Sequence, residues 1–188
     1  MKYTLKFRIW HWLNAITIFA LLATFFLRET FLSWRTNSEI LITKLSEIGI
    51  EITAEQAKIL AKAIRSGMWE WHIILGYALA FLTVYRIYLF FADTSKKDIF
   101  SSLDLHHKAV RMSHYMIYGS LIFMSISGLT IHFYQELNLT KEFAHDIKEL
   151  HELIAYTLVY FVPLHIVGVF VAENKNEAGL VSTMINGK

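Results

Sequence analysis

The sequence predicts an all-α membrane protein: a four-transmembrane-helix bundle with short amphipathic surface helices between helices 1 and 2. Three observations lead there. Of its 188 residues, 55% are hydrophobic and only 18% are charged, too apolar a balance for a soluble domain of this size. Four stretches are long and apolar enough to cross a hydrocarbon core of ~30 Å as helices. One proline and eight glycines leave little room for loops, so residues 1–188 are expected to form a single membrane-embedded domain.

Composition also excludes several classes. A net charge of +2, with basic residues scattered among acids, offers no face of the kind that binds nucleic acid. The absence of cysteine removes thiolate-held clusters, c-type haem attachment, zinc ribbons and disulfides. Any bound metal must use histidine, methionine, carboxylates or a cofactor.

The first helix is placed at about 8–27. Its charge-free run, 9–27, exceeds the usual ~7 to 15 residue core of a signal peptide, and no small-residue cleavage site follows, so it reads as a retained membrane helix. His11 lies near its start between Trp10 and Trp12, residues that favour the membrane interface. An interfacial aromatic belt accounts for the tryptophans but not for the histidine.

Residues 28–70 form a polar insertion with six Lys or Arg against six Glu. Thr36 to Glu39 and Thr53 to Gln56 fit the capping-box pattern. Leu41, Leu45 and Ile48, then Ile59, Leu60, Ala63, Ile64 and Met68, recur at helical spacing. Two amphipathic surface helices fit, with the second able to run into helix two. Covering the end of a cofactor site and simply connecting two helices are both open roles for the insertion.

Helix two is placed at 71–92, with His72 at its outer end and Gly76 one turn on, where a ring can lie close to the backbone. Arg86 follows His72 by fourteen residues and points nearly the same way at the opposite depth. It can pair with haem propionates or snorkel to lipid headgroups. The connection after helix two carries His106 and His107, and helix three is placed at 109–134. Its His114 and His132, eighteen residues apart, share a face and are rival ligands, while Gly119 and Gly128 allow close approach.

Helix four is placed at 146–172, with no Asp, Glu, Lys or Arg from 153 to 172. Pro163 lies inside it and frees a backbone carbonyl. His151 and His165 are fourteen residues apart, about 3.9 turns, so they leave one face ~21 Å apart along the axis. Ionisable groups inside a bilayer mark functional interiors by default, although a lone histidine is also a common hydrogen-bonded packing residue. The tail beyond is polar.

Depth then pairs the histidines. Helix one starts and helix four ends on the side of the termini, bringing His11 and His165 to one level; His72 and His151 share the other. Imidazole binds haem iron, and two imidazoles complete its coordination, leaving electron transfer as the task. Two such haems, outer and inner, would form a path across the bilayer. Basic residues number nine on the terminal side and eight on the other, a slight bias towards cytoplasmic termini.

The segments RIWHWLNAITIF, WEWHIILGYALAFLTVYRIYLFF and HELIAYTLVYFVPLHIVGVFVAE, with the tail ENKNEAGLVSTMING, resemble the bacterial di-haem b-type cytochromes that include the cytochrome b subunit of nickel-iron hydrogenases. The resemblance covers helices one, two and four and the tail; helix three and the insertion match less well. It implies two haem b held by His11, His72, His151 and His165 in the bacterial inner (cytoplasmic) membrane. It further implies a place in a respiratory chain, exchanging electrons between the quinone pool and a periplasmic dehydrogenase, hydrogenase or c-type cytochrome. Partners expected are therefore membrane lipid, quinone and such a redox protein, with no catalytic residue in this chain. The insertion is longer than is usual in that family. Hydrogen-bonding groups for a quinone are sought in His106, His107, Arg111 and His114. Two other functions stand beside this one: a stand-alone quinone-linked oxidoreductase acting on a small substrate at the outer haem, and a non-redox membrane metal-binding or transport protein.

Overall fold

A computed structural model describes residues 3–92, 105–175 and 178–187. Its six helices among these residues are α1 (Leu5–Glu29), α2 (Trp34–Glu47), α3 (Ala54–Ala92), α4 (Leu105–His132), α5 (Lys141–Lys175) and α6 (Leu180–Asn186). No strand occurs among the described residues. The fold is all-α, and α1, α3, α4 and α5 are long and apolar enough to cross a membrane. Lys96 and Lys97 of the second connection lie outside the described residues, as does the His106 side chain.

Two compact units organise the chain, one of residues 1–15 and 77–188, the other of residues 16–76; α1 and α3 contribute to both. In the first, Trp10 is buried and its indole N–H donates to the Leu82 carbonyl at 2.8 Å, tying α1 to α3. The Thr83 and Ser125 hydroxyls meet at 3.2 Å between α3 and α4. Each also lies 2.8 Å from the carbonyl four residues earlier in its own helix. Each hydroxyl has one proton, so the helices are bridged when one of the two turns its proton from its own carbonyl to the other oxygen, and either choice leaves both protons bonded in an interior without water. Leu79, Ile117, Leu121, Ala155 and Leu158 complete this core, while Phe81, Val84, Leu164 and Phe170 point outwards, as lipid-facing residues would. The short α6 folds back onto the start of α1, with Arg8 donating to the Ile185 carbonyl (3.1 Å) and Trp12 to that of Met184 (3.3 Å).

The second unit shows how the insertion is built. Residues 54–70 form no separate helix: they are the first part of α3, whose 39 residues extend ~58 Å, well beyond a hydrocarbon core of ~30 Å. The capping box at Thr53 and Gln56 starts it, with Thr53 N–H donating to Gln56 Oε1 (2.8 Å) and Gln56 N–H to Thr53 Oγ1 (3.2 Å). Thr36 to Glu39 does not cap, because α2 already begins at Trp34 after Ser33. Gly49, at φ +78°, ends α2: its N–H reaches the Ser46 carbonyl and that of Ile50 reaches Leu45, so the left-handed residue satisfies the last carbonyls.

The packed face of early α3 differs from the expected stripe. Ala57 and Ala61 are fully buried, and Met68 nearly so, whereas Ile59, Leu60 and Ile64 are exposed. Small side chains let helix backbones approach closely, so the alanines take the interior positions. The other helix bounds also shift: α5 begins at Lys141 rather than 146, its first turn capped by the Thr140 hydroxyl accepting from Phe143 N–H (3.1 Å).

Thr53→Ala should lower the stability of the first turn of α3 by about 1 kcal/mol, the usual cost of losing such a cap. Hydrogen–deuterium exchange in detergent should show faster exchange at Gln56 and Ala57, with the remainder of α3 unchanged.

Candidate functional site

Within the first unit, the fixed start of α1 carries His11, the residue after Trp10, and α5 carries His165. Their ring centroids stand 6.2 Å apart with planes inclined by 56°. That spacing is informative. An imidazole–metal bond is about 2 Å, and the ring nitrogen lies about 1.1 Å from the centre of a five-membered ring with ~1.33 Å bonds. Two imidazoles sharing one metal ion would bring their centroids about 6.2 Å apart, and the observed tilted pair fits that spacing. His165 stacks on Phe161 (5.6 Å, 14°), and the edge of Trp12 meets His11 (5.4 Å, 83°), so rings of their own helices brace both imidazoles.

Arg86 lies beside this pair. Its guanidinium carbon is 4.7 Å from the Tyr118 ring centre, 5.2 Å from that of Phe7 and 5.3 Å from that of Trp10. One terminal nitrogen donates to the Tyr118 hydroxyl at 3.2 Å, while Nε is buried without a hydrogen-bond partner. Three aromatic faces hold a cation inside an apolar segment by ring-quadrupole attraction. His114 stacks against Tyr118 (6.3 Å, 23°), within electrostatic reach of both His11 and His165. Asn14, one turn after His11, is also buried, with Oδ1 unpartnered.

The other two histidines belong one to each unit. His72 Nδ1 lies 2.8 Å from the Thr24 hydroxyl, whose oxygen is itself 2.6 Å from the Leu21 carbonyl. Two oxygens that close need a hydrogen between them, and a carbonyl carries none, so the Thr24 proton points to Leu21. Thr24 must then accept from His72 Nδ1–H, leaving the Nε2 lone pair for a metal. His151 repeats the arrangement: Ser127 Oγ is 2.7 Å from its Nδ1 and 2.7 Å from the Phe123 carbonyl. Gly128 completes the seat, since a Cβ there would stand 3.4 Å from His151 Cε1. Gly76, by contrast, has nothing within 4 Å of where a Cβ would be.

A family model described as prokaryotic cytochrome b561 matches residues 2–187. The chain belongs to that family. This cytochrome is thus a multi-pass bacterial membrane protein that uses haem b for transmembrane electron transfer. No curated protein and no solved structure matches it. The donor chemistry fits haem b, since imidazole is a ligand for haem iron and four imidazoles, those of His11, His72, His151 and His165, lie on the apolar helices and could hold it.

Of the sequence-predicted residues, His11, His165 and Arg86 converge in one place. The rival His132 belongs instead to a cluster of three rings with Tyr77 (5.8 Å) and Phe133 (4.6 Å). Arg111 and His107 sit at the start of α4. Thr24 and Ser127 were not legible as site residues, because a hydroxyl inside an apolar run looks the same whether it bonds only its own helix or also a histidine.

His11→Ala and His165→Ala should each abolish the same low-spin haem component, and His132→Ala should abolish none. Loss of a low-spin component in His132→Ala, or of different components in the two alanine variants, would contradict this.

Proposed function

We propose that this cytochrome holds two haem b groups, His11 and His165 serving the inner one and His72 and His151 the outer one. It would connect a periplasmic redox partner to the quinone pool of the inner membrane. The observation that carries this reading is the 6.2 Å separation of the His11 and His165 rings. Haem b supplies a one-electron carrier, and two imidazole ligands leave its iron no open position.

The tasks of the chain's own residues follow. His11 and His165 would supply one nitrogen each, from α1 and α5. His72 and His151 are assigned to one haem by their common depth in the sequence, and each has a hydroxyl partner that directs Nε2 outwards. Arg86 is assigned to the inner haem's propionates, supported by its place beside Trp10 and by its unpartnered Nε. A charge-assisted bond from a guanidinium in a partly water-excluded site holds a carboxylate firmly. His114, within reach of the inner pair, is the best placed of the residues proposed for hydrogen bonding and proton exchange with a quinone. The termini are assigned to the cytoplasm. α2 and the projecting half of α3 then lie on the periplasmic side, where a redox partner would dock.

Purified protein should contain two haems per chain in a reduced-minus-oxidised spectrum with haem quantitation, and acidified acetone should extract both, since no cysteine is present to hold them. One haem per chain would reject the proposal.

Arg86→Gln, with both haems retained, should make the inner haem harder to reduce. A unit charge about 10 Å away at an effective dielectric of about 30 is worth about 1 kcal/mol, so the shift should be on the order of 50 mV. Redox titration resolves the two components, and an unchanged inner potential would leave Arg86 a structural cation only.

A further inference from the structure

We propose that Thr24 and Ser127 are positioning residues that orient His72 and His151 and raise the basicity of their metal-facing nitrogens. This rests on the assignment of those histidines as haem ligands. The two hydroxyls lie on different helices, α1 and α4, and serve histidines on two others, α3 and α5. Both do so in the same way. Each gives its only proton to a carbonyl of its own helix, three residues back for Thr24 and four for Ser127, and so can only accept from the imidazole. Both are buried, Thr24 to 7% exposure and Ser127 to 3%, where water cannot replace them.

The consequence for a ligand is twofold. Accepting the Nδ1 proton fixes the tautomer, so in the neutral ring the lone pair sits on Nε2. It also leaves more electron density on the ring, which strengthens donation to the metal and favours the oxidised iron. Rotation of the His72 ring is restricted as well, by Trp69 set steeply against it (5.5 Å, 78°). The rings of His11 and His165 are braced by Trp12 and Phe161 instead, so the two hydroxyls should act selectively.

The test is redox titration with electron paramagnetic resonance on the full-length holoprotein carrying Thr24→Val or Ser127→Ala, each nearly isosteric. In each variant the haem component that depends on His72 or His151, identified as the one lost in His72→Ala or His151→Ala, should shift to a more positive midpoint and change its low-spin g-values. The other component should stay put. Thr24→Ser and Ser127→Thr, which keep the hydroxyl, should restore both properties. An unchanged midpoint and unchanged g-values with haem retained would overturn the proposal. Were Thr24→Val or Ser127→Ala to lose the haem, recovery in Thr24→Ser or Ser127→Thr would support it, and no recovery would overturn it. The underlying ligand assignment fails separately, if His72→Ala and His151→Ala keep both components.

Discussion

The distance between two imidazole rings, one on α1 and one on α5, constrains this protein more than any other interaction. The His11 and His165 ring centroids stand 6.2 Å apart, a spacing that one metal ion could bridge. Such a spacing tolerates little slippage, since one residue of helical rotation turns a side chain by ~100° and moves it ~1.5 Å along the axis. Other contacts hold that register. Trp10 locks α1 to α3 through the Leu82 carbonyl, and α6 binds back to the first turns of α1 through Arg8 and Trp12. The Thr83–Ser125 contact joins α3 to α4. α4 in turn packs along α5. Each contact lies within two turns of a histidine or on a helix that carries one.

A membrane interior offers no water to polar groups, and this chain meets that constraint with one recurring device. Serine and threonine give their proton to a carbonyl of their own helix and keep lone pairs for something else. At Thr83 and Ser125 one hydroxyl turns its proton to the lone pair of the other, which keeps its own-helix bond, and α3 is joined to α4. At Thr24 and Ser127 the lone pair meets a histidine N–H. The first use contributes stability of roughly 0.6 kcal/mol per contact, whereas the second fixes which nitrogen a histidine presents. Arg86 meets the same constraint differently, with aromatic faces in place of water around its charge.

The insertion departs from a simple connector because of length and side-chain size. A helix of 39 residues cannot lie wholly inside the bilayer, so α3 carries the helical frame of the membrane segment into the adjoining aqueous or interfacial region. Alanines at 57 and 61 make close packing possible there, while Ile59, Leu60 and Ile64 remain exposed. Periodicity gave the helix but not its inward face, because in this segment the smallest apolar side chains, not the largest, occupy the packed positions.

The sequence by itself determined the fold class, the four membrane crossings and the family. Long charge-free runs admit no other backbone in hydrocarbon, and the segments around His11, His72, His151 and His165 were distinctive enough to carry the resemblance. It also aligned His151 with His165, because both lie on one helix whose geometry is fixed. Only the tertiary structure decided which groups meet across helices. It seated Arg86 among Phe7, Trp10 and Tyr118, brought His114 towards the His11–His165 pair while leaving His132 clustered with Tyr77 and Phe133, and gave two histidines hydroxyl partners. Those partners lie 48 and 24 residues away from their histidines, on helices whose relative rotation no local pattern specifies. A single-helix period fixes directions around one axis, whereas a contact between helices depends on the packing of both.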